Sequence, residues 1–252
     1  MEFFVKEQSI VRKIWGKSDT VLFIFAGAAA EFALNKAVDW LYFTGRLPKD
    51  PLGRLFSTVE YARKIVFSER EEALKTIDMI ASIHKNVEEK RGKEVPDWAY
   101  RDVLFMLIDY SIRSWELLKR RLSKQEKEEV YAVFYALGDR MGVPGLPSSY
   151  NEWLKARAEH LDHDLERSAY TKDLFKQYRK HLGGFRFWLV LHAQRMLCPA
   201  KVLELLNMGR FSVLKPIVFL YRPISEFKIA WYMKVLLLPV KYRKRIKRLD
   251  IE

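Results

Sequence analysis

The chain has 252 residues, enough for one domain or at most two and for a substantial core. With 49% hydrophobic and 31% charged residues it carries too much apolar surface for a disordered chain, and 11 Gly with 9 Pro are too few for a turn-rich all-β architecture. Forty-five Lys and Arg against 32 Asp and Glu leave a charge of +13, which is compatible with nucleic acid, an anionic membrane surface or an acidic ligand and does not choose among them.

Apolar residues spaced by three and four predict helices over 3–16, 19–43, 51–67, 69–90, 97–120, 124–141, 150–181, 185–197, 199–208 and 225–241. Several carry start signals. Asp50 before Pro51 places an N-cap ahead of a proline at the first helical position, where its missing N–H costs nothing. Three S-x-x-E boxes, Ser68 with Glu71, Ser123 with Glu126 and Ser149 with Glu152, can satisfy amides that a first turn leaves orphaned. Asp97 marks a further start. The punctuation at 45–50, 91–96 and 142–148 is short enough to connect elements within one unit, and no alternating run demands a strand. The expected fold is all-α, a single-domain multi-helix bundle over 1–252. Val103 to Ile112, apolar almost all round apart from Asp109, forms its central buried helix.

The only cysteine, Cys198, cannot form an intrachain disulfide. The N-terminus mixes charges into its apolar residues and lacks the uninterrupted apolar region of a signal peptide, so cytoplasm is the expected compartment. Val21–Ala30 and Val235–Val240, the longest apolar stretches, fall short of the roughly 18–20 residues of a spanning helix.

Candidate chemistry collects at a few places. On 69–90, Ala73, Ile77, Ile80, His84 and Val87 share one face, so His84 lies in an apolar stripe and needs a partner, either a core hydrogen bond or a metal or haem. On 51–67, Arg54 and Thr58 are one turn apart. They can point together at an anionic group, or be a snorkelling arginine and a threonine bonded to its own backbone. Asp109 in the central helix must be paired, with Arg113 four residues on as nearest candidate, or it could orient a histidine from a neighbouring helix. His160 and His163 beside Asp164 have metal-ligand spacing, and His192 shares a face with Trp188, Arg195 and Met196. Phosphate-loop, dinucleotide and nucleophile-elbow motifs are absent. Six basic residues in Val240–Arg248 are a solvated tail or a lipid-docking segment.

Asp50-Pro-Leu-Gly-Arg-Leu-Phe-Ser-Thr58, Val66-Phe-Ser-Glu-Arg-Glu-Glu-Ala73, Ile83-His84 with Val87, Leu107-Ile-Asp109 and Gly142-Val-Pro144 follow in an order that resembles a known family. It is the bacterial and fungal haem oxygenase family that includes latex clearing protein (rubber oxygenase) and the fungal oxygenase of mycophenolic acid biosynthesis. The likeness extends over about residues 20–165 and in part to Leu236–Pro239 followed by Arg243. It implies an all-α fold holding b-type haem, globin-like in enclosing it, with His84 as proximal ligand of the iron and Arg54 and Thr58 as the family's R-x-x-x-T motif. Dioxygen would bind opposite the histidine and the substrate would be hydrophobic, unsaturated or isoprenoid. Two departures are visible. Ser57 stands where rubber-cleaving members have a distal lysine. Ala28–Leu34 replaces a His-Pro, leaving Glu31 as the acidic residue there and a candidate distal acid or base.

The expected function is therefore a haem-dependent oxygenase with a hydrophobic small-molecule substrate and peripheral contact with anionic membrane. The alternative is a non-catalytic helical module that binds lipid or membrane surfaces. Nucleic acid is not expected, since no groove-reading motif accompanies the charge.

Overall fold

The computed structural model describes residues 2–45, 49–224 and 250. Among them are eleven α-helices and no strand, so the fold is all-α. They are α1 (Ile10–Trp15), α2 (Ser18–Phe32), α3 (Asp39–Phe43), α4 (Pro51–Phe67), α5 (Arg70–Arg91), α6 (Asp97–Leu118), α7 (Lys124–Arg140), α8 (Tyr150–His163), α9 (Ala169–Leu197), α10 (Ala200–Leu205) and α11 (Lys215–Ile224). The predicted helix 225–241 and the basic segment 240–248 lie outside the described residues.

The central helix is α6, whose Leu104, Phe105, Met106, Ile108, Tyr110, Ile112, Trp115 and Leu118 are all buried. Its most extensive partner is α2, and the close approach depends on Gly27. A Cβ there would lie 2.3 Å from the ring of Tyr110, which is wholly enclosed. Around this pair, α1 buries Ile14 and Trp15, with Trp15 edge-on to Phe25 and tilted against Phe134 of α7. α8 brings Trp153 edge-on to Phe105.

Two isolated antiparallel bridges explain where helix lengths depart from the periodicity. Phe3 pairs with Glu69, and the Arg70 amide donates to the Glu2 carbonyl at 2.8 Å. Residues 3–9 are thereby held outside the predicted helix 3–16. The Ser68 box does not form either: Ser68 is the C-cap of α4, and Glu69 takes the N-cap position of α5. The second bridge, Asn35 with Leu165, is flanked by Lys36 N to Asp164 O and Glu166 N to Leu34 O. It interrupts both of the long helices predicted over 19–43 and 150–181.

The other caps follow local chemistry. Asp50 accepts from Gly53 N, Ser123 and Glu126 form the reciprocal box, and Ser149 accepts from Glu152 N while the Glu152 carboxylate turns to Ser148. Asp97 is the first helical residue of α6, with Pro96 at the N-cap position. A box without glutamate, Ser168 with Thr171, opens α9, which continues through a kink at Gly183, where φ is 75° and ψ 165°. α11 was not predicted: it spans ten residues with Pro216 and Pro223 among them, and prolines in so short a segment read as helix boundaries. α2 has no side-chain cap of its own; the carboxylate of Asp250 accepts from Ser18 N at 2.8 Å and from Ser18 Oγ at 2.9 Å.

Gly27→Ala gains about 1 kcal/mol of helix propensity, whereas pushing a methyl into an immobile ring costs about 1–3 kcal/mol and more at so short a distance. The expected result is a net loss of stability, read as a lower urea midpoint at unchanged slope.

Candidate functional site

The predicted site residues fall into two groups. In the first, α4 lies along α5 and carries Arg54 and Thr58, both half-buried. The Arg54 guanidinium donates to Thr58 Oγ1 at 3.0 Å, and the same hydroxyl donates to the Arg54 carbonyl at 3.2 Å. Thr58 thus fixes the arginine's course along the helix. Ser57, one position earlier, bonds back to the Gly53 carbonyl and presents no amine.

His84 follows the apolar stripe of α5, but burial fades along it: Ala73 and Ile77 are wholly enclosed, whereas Ile80, His84 and Val87 are half-buried. Its Nδ1 is shielded from water and has no hydrogen-bond partner. Burial, reinforced by the positive charge of Arg54 and opposed by Glu88, lowers its pKa, so the ring is neutral at physiological pH. Tyr100 of α6 packs on the ring with centroids 5.4 Å apart. Glu88 accepts from Tyr100 Oη at 3.0 Å and from Val95 N at 2.8 Å, which locks that ring and the α5–α6 connection together. At the end of α5, Arg91 pairs with Asp39 at 2.6 Å and lies over Trp40 and Phe43, holding α3 against this end of the helix. Sequence reasoning missed Tyr100 and Glu88. Glu88, one turn after His84, was the readable sign.

The second group is a buried ionic network between α2, α6 and α8. Arg157 grips both oxygens of Glu31 and donates from Nε and Nη2 to Asp109 Oδ2 at 3.1 and 2.9 Å. Arg113 takes the other Asp109 oxygen at 2.6 Å, as the i+4 spacing predicted. Tyr110 Oη donates to Glu31 at 2.9 Å, and His160 Nε2 lies 2.9 Å from Glu31 Oε1. On its other side His160 Nδ1 lies 2.7 Å from Asp102 Oδ1, while Asn35 Nδ2 donates to Asp102 Oδ2 at 2.9 Å. Arg157, His160 and Asp102 were not singled out for this role. Their sequence separations from Glu31 gave no local signal.

Asp102, His160 and Asp164 each offer a ligand atom, all within 4.8 Å of one another. The imidazole there already lies between two carboxylates, however, with Nε2 facing Glu31 and Nδ1 facing Asp102. The i+3 pair His160 and His163 does not converge, because His160 is buried and His163 exposed. His192 is buried, edge-on to Trp188 and 3.2 Å from Ser212 Oγ. Burial pushes the Cys198 thiol up to about 12, which leaves it inert as a nucleophile.

A family model described as ER-bound oxygenase mpaB/B'/Rubber oxygenase, catalytic domain, matches residues 12–226. No curated protein matches the sequence.

The network has a defined charge state. Burial alone would raise Glu31, but the charge and hydrogen bonds of Arg157, joined by His160, hold it down at about 2. Burial would lower His160, but Asp102 and Glu31 outweigh it and bring the imidazole up to about 9. Burial raises Asp102, and the charge of Asp164 adds to that. Because the folded His160 titrates above its ordinary value, its ionic contribution is fully present below about pH 6.5 and is lost as pH rises through about 9. Wild type should therefore be more stable than His160→Gln at pH 6, and the gap should narrow steadily towards pH 10 in urea titrations. Arg157→Met should cost about 3–5 kcal/mol at neutral pH, since it removes the buried cation that joins Glu31 to Asp109.

Proposed function

Because the chain belongs to the oxygenase catalytic-domain family of the ER-bound and rubber oxygenases, we propose that it is a haem-dependent oxygenase that uses dioxygen on a hydrophobic small molecule, unsaturated or isoprenoid in kind. The observation that carries the haem reading is His84. It is a neutral imidazole with a water-shielded, unpartnered nitrogen, set beside a cation and an aromatic ring. Those are the properties an axial ligand needs: a free lone pair, and no competing proton.

In this reading His84 holds the iron of haem b. Arg54, steadied by Thr58, supplies the positive charge for a propionate, as charge-assisted contacts to carboxylates favour arginine. Haem, when bound, supplies the redox chemistry with dioxygen that side chains cannot perform. The chain's own residues do the rest. Tyr100, tethered by Glu88, fixes the plane of the imidazole and keeps water from one side of it. Arg91 with Asp39 and Trp40 closes the far end of α5.

Glu31 and Asp109, expected near the reacting centre, are proposed to act through the framework instead. Both oxygens of Glu31 are occupied, and the residue is wholly enclosed. A distal acid or base would need one oxygen free to meet substrate.

Protein expressed with ample haem should be reddish and show a Soret band; a colourless wild-type protein would end the haem reading. His84→Ala should lose that band. The haem-free variant should stay within about 1 kcal/mol of wild type, because no hydrogen bond of Nδ1 is broken. Arg54→Ala should weaken haem retention roughly tenfold or more, as expected for one charge-assisted hydrogen bond. Loss of the band in His192→Ala but not in His84→Ala would move the ligand to His192.

A further inference from the structure

The net charge is not spread along the chain. Residues 1–170 hold 27 Lys and Arg against 27 Asp and Glu, so the whole excess of +13 falls on 171–252, with 18 basic residues against 5 acidic. The same part of the chain holds the most exposed large apolar side chains among the described residues. Phe185 is 61% exposed, Phe211 77%, Ile217 50%, Phe219 68% and Leu220 69%. Isolated exposed leucines need no explanation, but five such residues within 36 positions do.

These residues belong to connected elements. Trp188 stacks on Phe185 and meets His192 edge-on, and His192 bonds to Ser212 between Phe211 and Val213. The loop therefore lies against the distal half of α9. α11 follows at once and turns Val218 and Tyr221 inward towards Leu118, with Tyr221 Oη donating to Asp19 at 2.8 Å. Ile217, Phe219 and Leu220 are left facing water.

Beside α11 lies a cleft of about 440 Å³ walled by Arg113, Arg120, Arg121 and Arg222, with Glu116 as its one acidic residue. Three of these guanidiniums are held in place. Arg222 donates to the carbonyls of Leu117 and Glu116, Arg113 to Asp109, and Arg120 to Glu126. The lip of the cleft thus sets the charges of Arg121 and Arg222 next to an apolar helix face, with Arg113 and Arg120 paired to Asp109 and Glu126.

We propose that this face docks on an anionic phospholipid bilayer. The side chains of Phe211, Ile217, Phe219 and Leu220 enter the boundary between headgroups and acyl chains, and the arginine cleft meets the phosphate-bearing headgroups. Neither half suffices by itself: a modest apolar insertion gives weak, reversible binding, and basic residues near an anionic surface supply the second attraction. A purely acidic protein partner would use the arginines and leave Phe211, Phe219 and Leu220 without a purpose. The inference is independent of haem.

The test is flotation of the full-length protein with phosphatidylcholine vesicles, with and without phosphatidylglycerol. Binding is expected only where phosphatidylglycerol is present, and added salt should weaken it. The combined variant Phe211→Ser, Phe219→Ser and Leu220→Ser should bind about tenfold more weakly or worse at an unchanged unfolding midpoint, and Arg121→Glu should also weaken binding. Should the triple variant fold poorly, Phe211→Ser alone, in the loop, should still give a several-fold loss. Absence of flotation overturns the proposal, as does equal flotation on phosphatidylcholine alone. So does wild-type binding by these variants, which would place the contact elsewhere on the basic chain. Retention on soluble polyglutamate that equals retention on vesicles, and that ignores the apolar substitutions, would assign the face to an acidic protein instead.

Discussion

Arg157 is a guanidinium in the middle of a protein, and it is tolerable there only because two carboxylates from two other helices meet it. Taking such a charge out of water costs several kcal/mol, and the cost is offset only when geometry and hydrogen bonding are nearly complete. The network meets that condition. Glu31 comes from the last turn of α2, Asp109 from the middle of α6, and Arg157 and His160 from successive turns of α8. A slip of any of the three helices by one residue would leave a bare charge in the core. The ion pairs therefore act as a register device, whereas apolar side chains on the same helices would tolerate several nearby arrangements.

The consequence reaches the other end of α6. Asp102 is fixed through His160 and Asn35, and two residues earlier on the same helix Tyr100 packs on His84. The position of that ring over the imidazole is thus set by the ionic core and tuned by Glu88. α4 and α5 are less buried than α6. The packing of Ile65, Ala73 and Ile77 joins the two at one end, and the contact of Tyr100 with His84 and the salt bridge of Arg91 to Asp39 hold α5 at the other.

What could be read from the sequence was local. Asp50 with Pro51, the Ser123 box and the Asp109–Arg113 pair all lie within one or two turns, and each appears where spacing put it. Arg54 and Thr58 are likewise in contact. What could not be read depends on residues far apart in the chain. The Ser68 box is displaced by Glu2 and Phe3, and both long predicted helices are cut by one bridge between Asn35 and Leu165. His160 drew notice for the wrong neighbour. Its spacing to His163 suggested a ligand pair, whereas its real partners are 129 residues away at Glu31 and on α6 at Asp102. The gap left between the predicted helices 150–181 and 185–197 falls on the kink at Gly183, whereas α11, ten residues with Pro216 and Pro223 among them, offered too short a stretch to read as a helix.

The helix that presents Glu31 begins at Ser18 and borrows its N-terminal anion from Asp250, 232 positions later. During synthesis α2 leaves the ribosome long before that carboxylate exists, so its first amides must rely on water or on other groups until residue 250 follows. The contact thus ties the start of α2 to residue 250. It also means that a fusion placed after residue 250 sits close to the origin of the helix that anchors the ionic core, at the opposite end from Glu31.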